Sequence, residues 1–218
     1  MFEKFADFAQ SWTAWATVIV LVVFAAAMIV VMRKNPKWTT QMLTNAALCL
    51  ALSFILSYIK LFELPQGGSV TCASLLPVIA FAYAYGLAPG LVVGFAYGLL
   101  QMIQDPWIVG FTQAMLDYPI AFGAIGLAGL ARKLPSKYGF VVGIVLVGVV
   151  RFVCHTISGV VFFASYADGT GLSPLVYSLS YNSFVFVDLA IDLVVIAIPA
   201  VRRALDRMRP APAAHAAQ

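Results

Sequence analysis

Charged side chains are scarce in this sequence. Only 10% of its 218 residues are Asp, Glu, Lys or Arg, against about a quarter in a typical soluble domain. So few charges cannot cover a water-facing surface, which excludes an ordinary soluble enzyme or binding module. Cysteine is sparse as well. Cys49, Cys72 and Cys154 are odd in number and lack CxxC spacing, so they read as small apolar packing residues rather than a disulfide framework or a zinc site. Two histidines and scattered aspartates do not make a metal site, and no cofactor is implied. There is no Walker A loop, no GxGxxG after a strand, no HExxH and no Ser-His-Asp order in a credible setting. Uphill transport by this chain would therefore draw on ions or on a partner protein. Polar linkers and shifts of composition are missing too, which leaves one domain.

What the sequence has in abundance is apolar length. Hydrophobic residues make up 62% of it, and the mean hydropathy is +0.95. A bilayer-spanning helix needs about 20 mostly apolar residues. Thr13–Met32, Met42–Phe62, Gly110–Ala131, Phe140–Tyr166 and Ser173–Val201 are such runs. Leu75–Leu87 and Pro89–Ile103 are shorter, with an Ala-Pro-Gly turn expected between them, and are expected to tilt, break or lie behind neighbours. The fold class is thus an all-α polytopic membrane protein with seven spans. The first run outlasts a usual signal-peptide core and is followed by basic residues, so it reads as a retained helix.

The sparse charges carry orientation. Arg33, Lys34 and Lys37 follow the first run, Arg132, Lys133 and Lys137 the fifth, and Arg202, Arg203, Arg207 and Arg209 the seventh. With seven spans, all three clusters fall on one side, the cytoplasmic one by the positive-inside rule. This placement explains the net charge of +4 better than nucleic-acid binding does. It puts the N-terminus outside, the C-terminus in the cytoplasm, and residues 64–74, the loop part of LPQGGSVTCASLLP, outside.

Ionisable residues at membrane depth are costly and face a cavity or a partner. Arg151 and His155 lie at i and i+4, as do Asp188 and Asp192, so each pair shares a helix face. Arg151 is expected to pair internally with Asp188 or Asp192. Toward the outer side, Asp117 follows Gln113 by one turn and is flanked by Trp107 and Tyr118. One face runs from His155 through Ser158, Phe162 and Tyr166, with Phe163 at its border, and the next helix opens with Tyr177, Ser178, Tyr181 and Asn182. Tyr and Trp near span ends often form only an interfacial belt. That reading does not account for Asp117, His155 and Asn182. A carboxylate, an imidazole, an amide and several aromatics under an outer loop suit a flat, cationic, hydrogen-bonding ligand. An intramembrane enzyme using Asp117 and His155 as acid and base, or a structural protein whose polar residues merely pair, would use the same residues.

The segments LPQGGSVTCASLLPVIAFAYAYGLAPGLVVGFAYGLLQMIQDPW, TQAMLDYPIAFGAIGLAGLARK, RFVCHTISGVVFFASY and YSLSYN resemble the thiamine-specific substrate-binding (S) subunits of energy-coupling factor vitamin transporters. The resemblance covers residues 40–201 in matching order. It implies a six-helix S-component bundle over 39–204, preceded here by an extra N-terminal transmembrane helix and linker (1–38) and followed by a cytoplasmic tail (205–218). It implies a thiamine pocket under a lid loop (64–74) containing Gln66, Gly67, Gly68 and Ser69. The partners implied are a transmembrane coupling protein and a pair of ATPases. Matched by motif, the family's ligand-binding positions fall on Asp117, Tyr118, His155, Phe163, Tyr177 and Asn182, with Trp107 from its place before the acid. The family's small-residue docking motif falls on Ala47 and Ala51. Asp117 stands where a relative has Glu and Phe163 where it has Trp. These departures keep open a thiamine precursor or another vitamin as ligand.

Overall fold

A computed structural model describes residues 38–208 and, before them, the single positions Trp15, Val22, Ala25, Ala26, Ile29 and Arg33. The rest of the expected N-terminal helix and linker, with Lys34 and Lys37, and the tail from Arg209 onward lie outside the described residues. Within them six apolar helical segments form one bundle. Helix α1 is Thr40–Ser57, α2 Leu76–Tyr85 and α3 Leu87–Gln104. Helix α4, over Phe111–Lys133, passes from α-helix through a π-helical turn at Leu116–Ile120 to 3-10 geometry. Helix α5 is Ser136–Phe162. The last crossing is split into α6 (Pro174–Asn182) and α7 (Phe184–Ala197), and a short amphipathic α8 (Pro199–Asp206) follows it. Five of the six, all but α2, are long and apolar enough to span a bilayer.

Local chemistry sets the boundaries. Thr39 caps α1 by accepting a hydrogen bond from the Met42 N–H at 3.2 Å. Its inward face is Met42, Ala46, Cys49, Ser53 and Ser57, at spacings of three and four. Ala47, Leu48, Ala51, Leu52 and Ile55 face outward and are exposed. The expected Ala-Pro-Gly turn is not where the chain breaks. The break is at Gly86, whose φ of +100° suits glycine. Pro89 instead sits in the first turn of α3, where the N–H it lacks would have no helical partner. Helix α3 is therefore longer than the sequence run implied.

Helix α2 is the centre of the molecule. Every residue from Leu76 to Ala84 is buried, enclosed by α1, α3, α5 and the 3-10 end of α4. In lipid, packing and hydrogen bonds hold helices together, since the surroundings are as apolar as the core. Tyr83 packs on Phe140 with ring centroids 4.2 Å apart, and Tyr97 meets Phe122 edge-on at 5.3 Å. Asn45 Nδ2 donates to Tyr85 Oη at 2.7 Å, joining α1 to α2. A Cβ at Gly98 would lie 2.6 Å from the Tyr118 carbonyl oxygen, so glycine there lets α3 approach α4 where the site is built.

The stretch 60–71, expected as a helix end and a loop, is a β-hairpin. Strand β1 (Lys60–Glu63) pairs antiparallel with β2 (Ser69–Thr71) around a turn at Pro65–Gly67. The expected second run thus stops being helical at Ser57. Gln66 and Gly67 both have positive φ, +68° and +84°.

Candidate ligand-binding pocket

The π-helical turn of α4 positions the acid. Pro119 has no N–H to donate to the Met115 carbonyl, and the Ala121 N–H reaches back to Leu116 instead. Asp117 is held there by three neighbours. Gln113 Nε2 donates to Asp117 Oδ2 at 2.7 Å and Ser158 Oγ at 2.6 Å, while His155 Nδ1 lies 3.0 Å from Oδ1. A carboxylate in this contact takes a donor, so Nδ1 carries the proton. His155 Nε2 is buried and finds no partner among the described residues. In the neutral ring that atom is an acceptor left for a ligand.

Two hydroxyl- and amide-bearing side chains fix the loop that carries Trp107. Tyr118 Oη accepts from the Trp107 N–H at 2.8 Å and donates to the Asp105 carbonyl at 2.9 Å. Gln113 Nε2 also donates to the Trp107 carbonyl at 3.0 Å, and its Oε1 accepts from the Val109 N–H at 3.1 Å. The Tyr118 hydroxyl is thus committed to the loop. Asn182 Nδ2 donates to the Ser178 carbonyl at 2.9 Å and the His155 carbonyl at 3.2 Å, which leaves its oxygen to offer. Phe163 stacks on Tyr166 at 5.6 Å, and Tyr177 on Tyr181 at 6.4 Å.

These side chains line one cleft with an empty volume of about 990 Å³, counting its part open to solvent. Asp117, Tyr118, His155, Phe163, Tyr177, Asn182 and Trp107 are all on its wall, although four separate stretches of chain supply them. Gln66, Gly67, Gly68 and Ser69 of the hairpin line it as well.

Part of the remaining wall was not read from the sequence. Ser57, Gln101 and Gln104 form a polar cluster: Ser57 Oγ donates to Gln104 Oε1 at 2.7 Å, and Gln101 Nε2 lies 3.0 Å from Ser57 Oγ. Gln101 and Gln104, at i and i+3 in an apolar run, were the available signal. Lys60 joins the hairpin to Asp105 at 2.5 Å and pairs within β1 with Glu63 at 3.1 Å. Asp105 holds the Lys60 ammonium above the usual lysine pKa by accepting its hydrogen bond, more than burial lowers it. Deeper in, Arg151 pairs with Asp188 (3.7 Å) and lies over the Phe122 ring at 4.6 Å, as expected of one of the two aspartates. Asp188 Oδ1 also accepts from the Thr71 N–H and hydroxyl, both at 3.1 Å. Asp192 Oδ1 has no partner among the described residues. No group of three or more metal-ligating side chains occurs among the described residues.

The fold and the chain's sequence have relatives. A structure of ThiT from Listeria monocytogenes superposes with a TM-score of 0.67 over 78% of this chain and 97% of its own, at 21% identity. Thiamine transporter ThiT of Bacillus subtilis is 33% identical over 155 residues, which are 65% of this chain and 80% of the relative. The protein of the same name from Lacticaseibacillus paracasei is 32% identical over 155 residues, 63% of this chain and 73% of the relative. The family model described as "Thiamine transporter protein" matches residues 43–207. This multi-pass membrane chain therefore belongs to the thiamine transporter protein family.

Proposed function

We propose that the chain is the thiamine-capturing subunit of an ATP-driven uptake transporter. The observation that carries this reading is the convergence of Asp117, His155, Phe163, Tyr177 and Asn182 on one cleft, in a chain whose relatives are named thiamine transporters. Asp117 complements the positive charge of a thiazolium-bearing ligand, His155 Nε2 accepts from an amine, and the aromatic walls take flat rings. The hairpin acts as the lid. Because the family is one of transporters, Asp117 and His155 serve binding, and the acid–base enzyme reading is set aside.

The chain has no nucleotide-binding motif of its own, so ATP hydrolysis falls to two ATPase subunits joined through a transmembrane coupling protein. Ala47 and Ala51, one turn apart on the exposed face of α1, leave a groove for a helix of that coupling protein. Residues 39–204 form the binding domain, with 1–38 an added N-terminal helix and linker and 205–218 a cytoplasmic tail. The cleft faces outward. Supporting this, Arg132 and Lys133 end α4 and Arg202 and Arg203 lie in α8, both at the ends of crossings that lead away from the cleft.

The test is titration of the detergent-purified chain, without partners, by intrinsic fluorescence. Saturable quenching at micromolar thiamine is expected. Tighter binding of the isolated aminopyrimidine alcohol than of thiamine would move the assignment to a precursor, and no binding of either would end it.

A further inference from the structure

Besides a long Tyr177 Oη–Gln66 Oε1 contact at 3.5 Å, the hairpin over the cleft is held at three places of different character. At its base, the Thr71 N–H and hydroxyl both donate to Asp188, and Thr71 and Asp188 are buried. At its start, Lys60 bridges to Asp105. At its tip, the Tyr181 hydroxyl from α6 fits inside the turn, donating to the Pro65 carbonyl and accepting from the Gly68 N–H at 3.1 Å. One phenol thus satisfies both a carbonyl and an amide of the turn. The space around it is tight: a Cβ at Gly68 would lie 2.8 Å from Tyr181 Oη and 3.1 Å from the Phe184 ring.

Opening the cleft must break some of these contacts. Pulling Thr71 away would strip a buried carboxylate of two donors, and an unsatisfied buried acceptor is costly. Freeing Tyr181 is cheaper, because no charged group is stripped: its bond to Pro65 is exposed and its bond from the Gly68 N–H only part-buried, so water replaces them. The base is therefore the hinge and the tip the part that moves.

We propose that the Tyr181 hydroxyl is the latch that holds the hairpin shut, so that Tyr181 is a positioning residue that sets how long ligand stays. The proposal rests on the reading of the cleft as a thiamine site. A latch on the lid slows release with little effect on entry.

The test compares wild type with Tyr181→Phe, which keeps the ring and its stacking, and with Gly68→Ala, which displaces the hydroxyl while leaving it in place chemically. Labelled thiamine is released into excess unlabelled thiamine from the purified full chain. Both variants should release about 5- to 30-fold faster, the loss of one or two neutral hydrogen bonds. The double variant should be no faster than either single one, since both remove the same contact. A second readout needs no ligand: in a chain with Cys49, Cys72 and Cys154 replaced by Ala, Ser69→Cys, which lines the cleft, should react faster with a maleimide when Tyr181 is Phe. Unchanged release in Tyr181→Phe overturns the latch, and so does faster labelling without faster release. If wild type binds no thiamine, the thiamine assignment fails, and the labelling rate alone then decides whether Tyr181 holds the hairpin.

Discussion

Asp117 is the residue whose chemistry is most constrained. It accepts from Gln113, Ser158 and His155 at once. An asparagine cannot do this: with its oxygen toward Gln113 and Ser158, its amide would point at His155 Nδ1. The imidazole proton would then have to move to Nε2, turning an acceptor for the ligand into a donor. Asp117→Asn therefore removes charge complementarity and reverses a neighbouring hydrogen bond. Binding should weaken by about 2–5 kcal/mol, the range for truncating one member of a buried charge pair, or roughly 30- to several-thousand-fold in Kd by calorimetry or fluorescence. Phe163→Ala should cost less, about 1–3 kcal/mol, the range for a base stacked on an aromatic. If Asp117→Asn binds thiamine as well as wild type while lowering the Tm of the empty protein, the carboxylate serves packing alone. The residue-level reading of the sequence reached Asp117 and His155 because an ionisable group at membrane depth needs a reason. It did not reach Tyr181 as a clasp, since its partners, the backbone atoms of Pro65 and Gly68, leave no mark in side-chain pattern.

Among elements, the long helices were legible because lipid demands continuous apolar length, and α1, α4, α5 and the split last crossing follow their runs to within a few residues. The hairpin was not legible. Strands of four and three residues are too short for alternation to show, and its Gly and Ser read equally well as loop. The break between α2 and α3 was misplaced because Pro in a first helical turn looks the same in sequence as Pro in a turn. Helix α1 and the hairpin each carry a prediction. Ala47→Leu or Ala51→Leu, on an exposed face, should abolish uptake in cells while leaving thiamine binding by the purified chain within about twofold, since exposed substitutions change little in the fold. Parallel loss of both would mean that the groove serves packing within this chain. The Lys60–Asp105 bridge is partly exposed, so Asp105→Asn should speed thiamine release by no more than about fivefold, the upper end for a surface pair, and added salt should shrink the difference. Lys60 has its pKa raised by Asp105, so its contribution is complete below the unfolded lysine value of about 10.4 and fades only as pH rises through the higher folded value. Lys60 therefore adds no pH dependence to release between pH 6 and 9, which a pH series on wild type and Lys60→Met checks.

At the scale of the whole molecule, a ligand enclosed by α3, α4, α5, α6 and the hairpin ties most of the bundle together. Thiamine should raise the Tm of the purified protein in proportion to the logarithm of its concentration, with about 2.7 kcal/mol of added stability at one hundred times Kd. Asp117→Asn should flatten that dependence, and thermal scans across a thiamine series would show it. The bundle also has an order of construction written into α2. Ten residues at about 1.5 Å each reach only about half of a hydrocarbon core roughly 30 Å thick, and its whole surface is covered by other helices. Part of that cover, Ala124–Lys133 and α5, is translated later. The insertion machinery therefore receives α2 before α4 and α5 exist, as a segment too short to hold its own place in the bilayer. It has to wait beside α3, joined to it at Gly86, until α4 and α5 arrive to enclose it. A nascent chain stalled after residue 110 would be a target for membrane quality control, although every part of the hairpin and the first three helices has already been made.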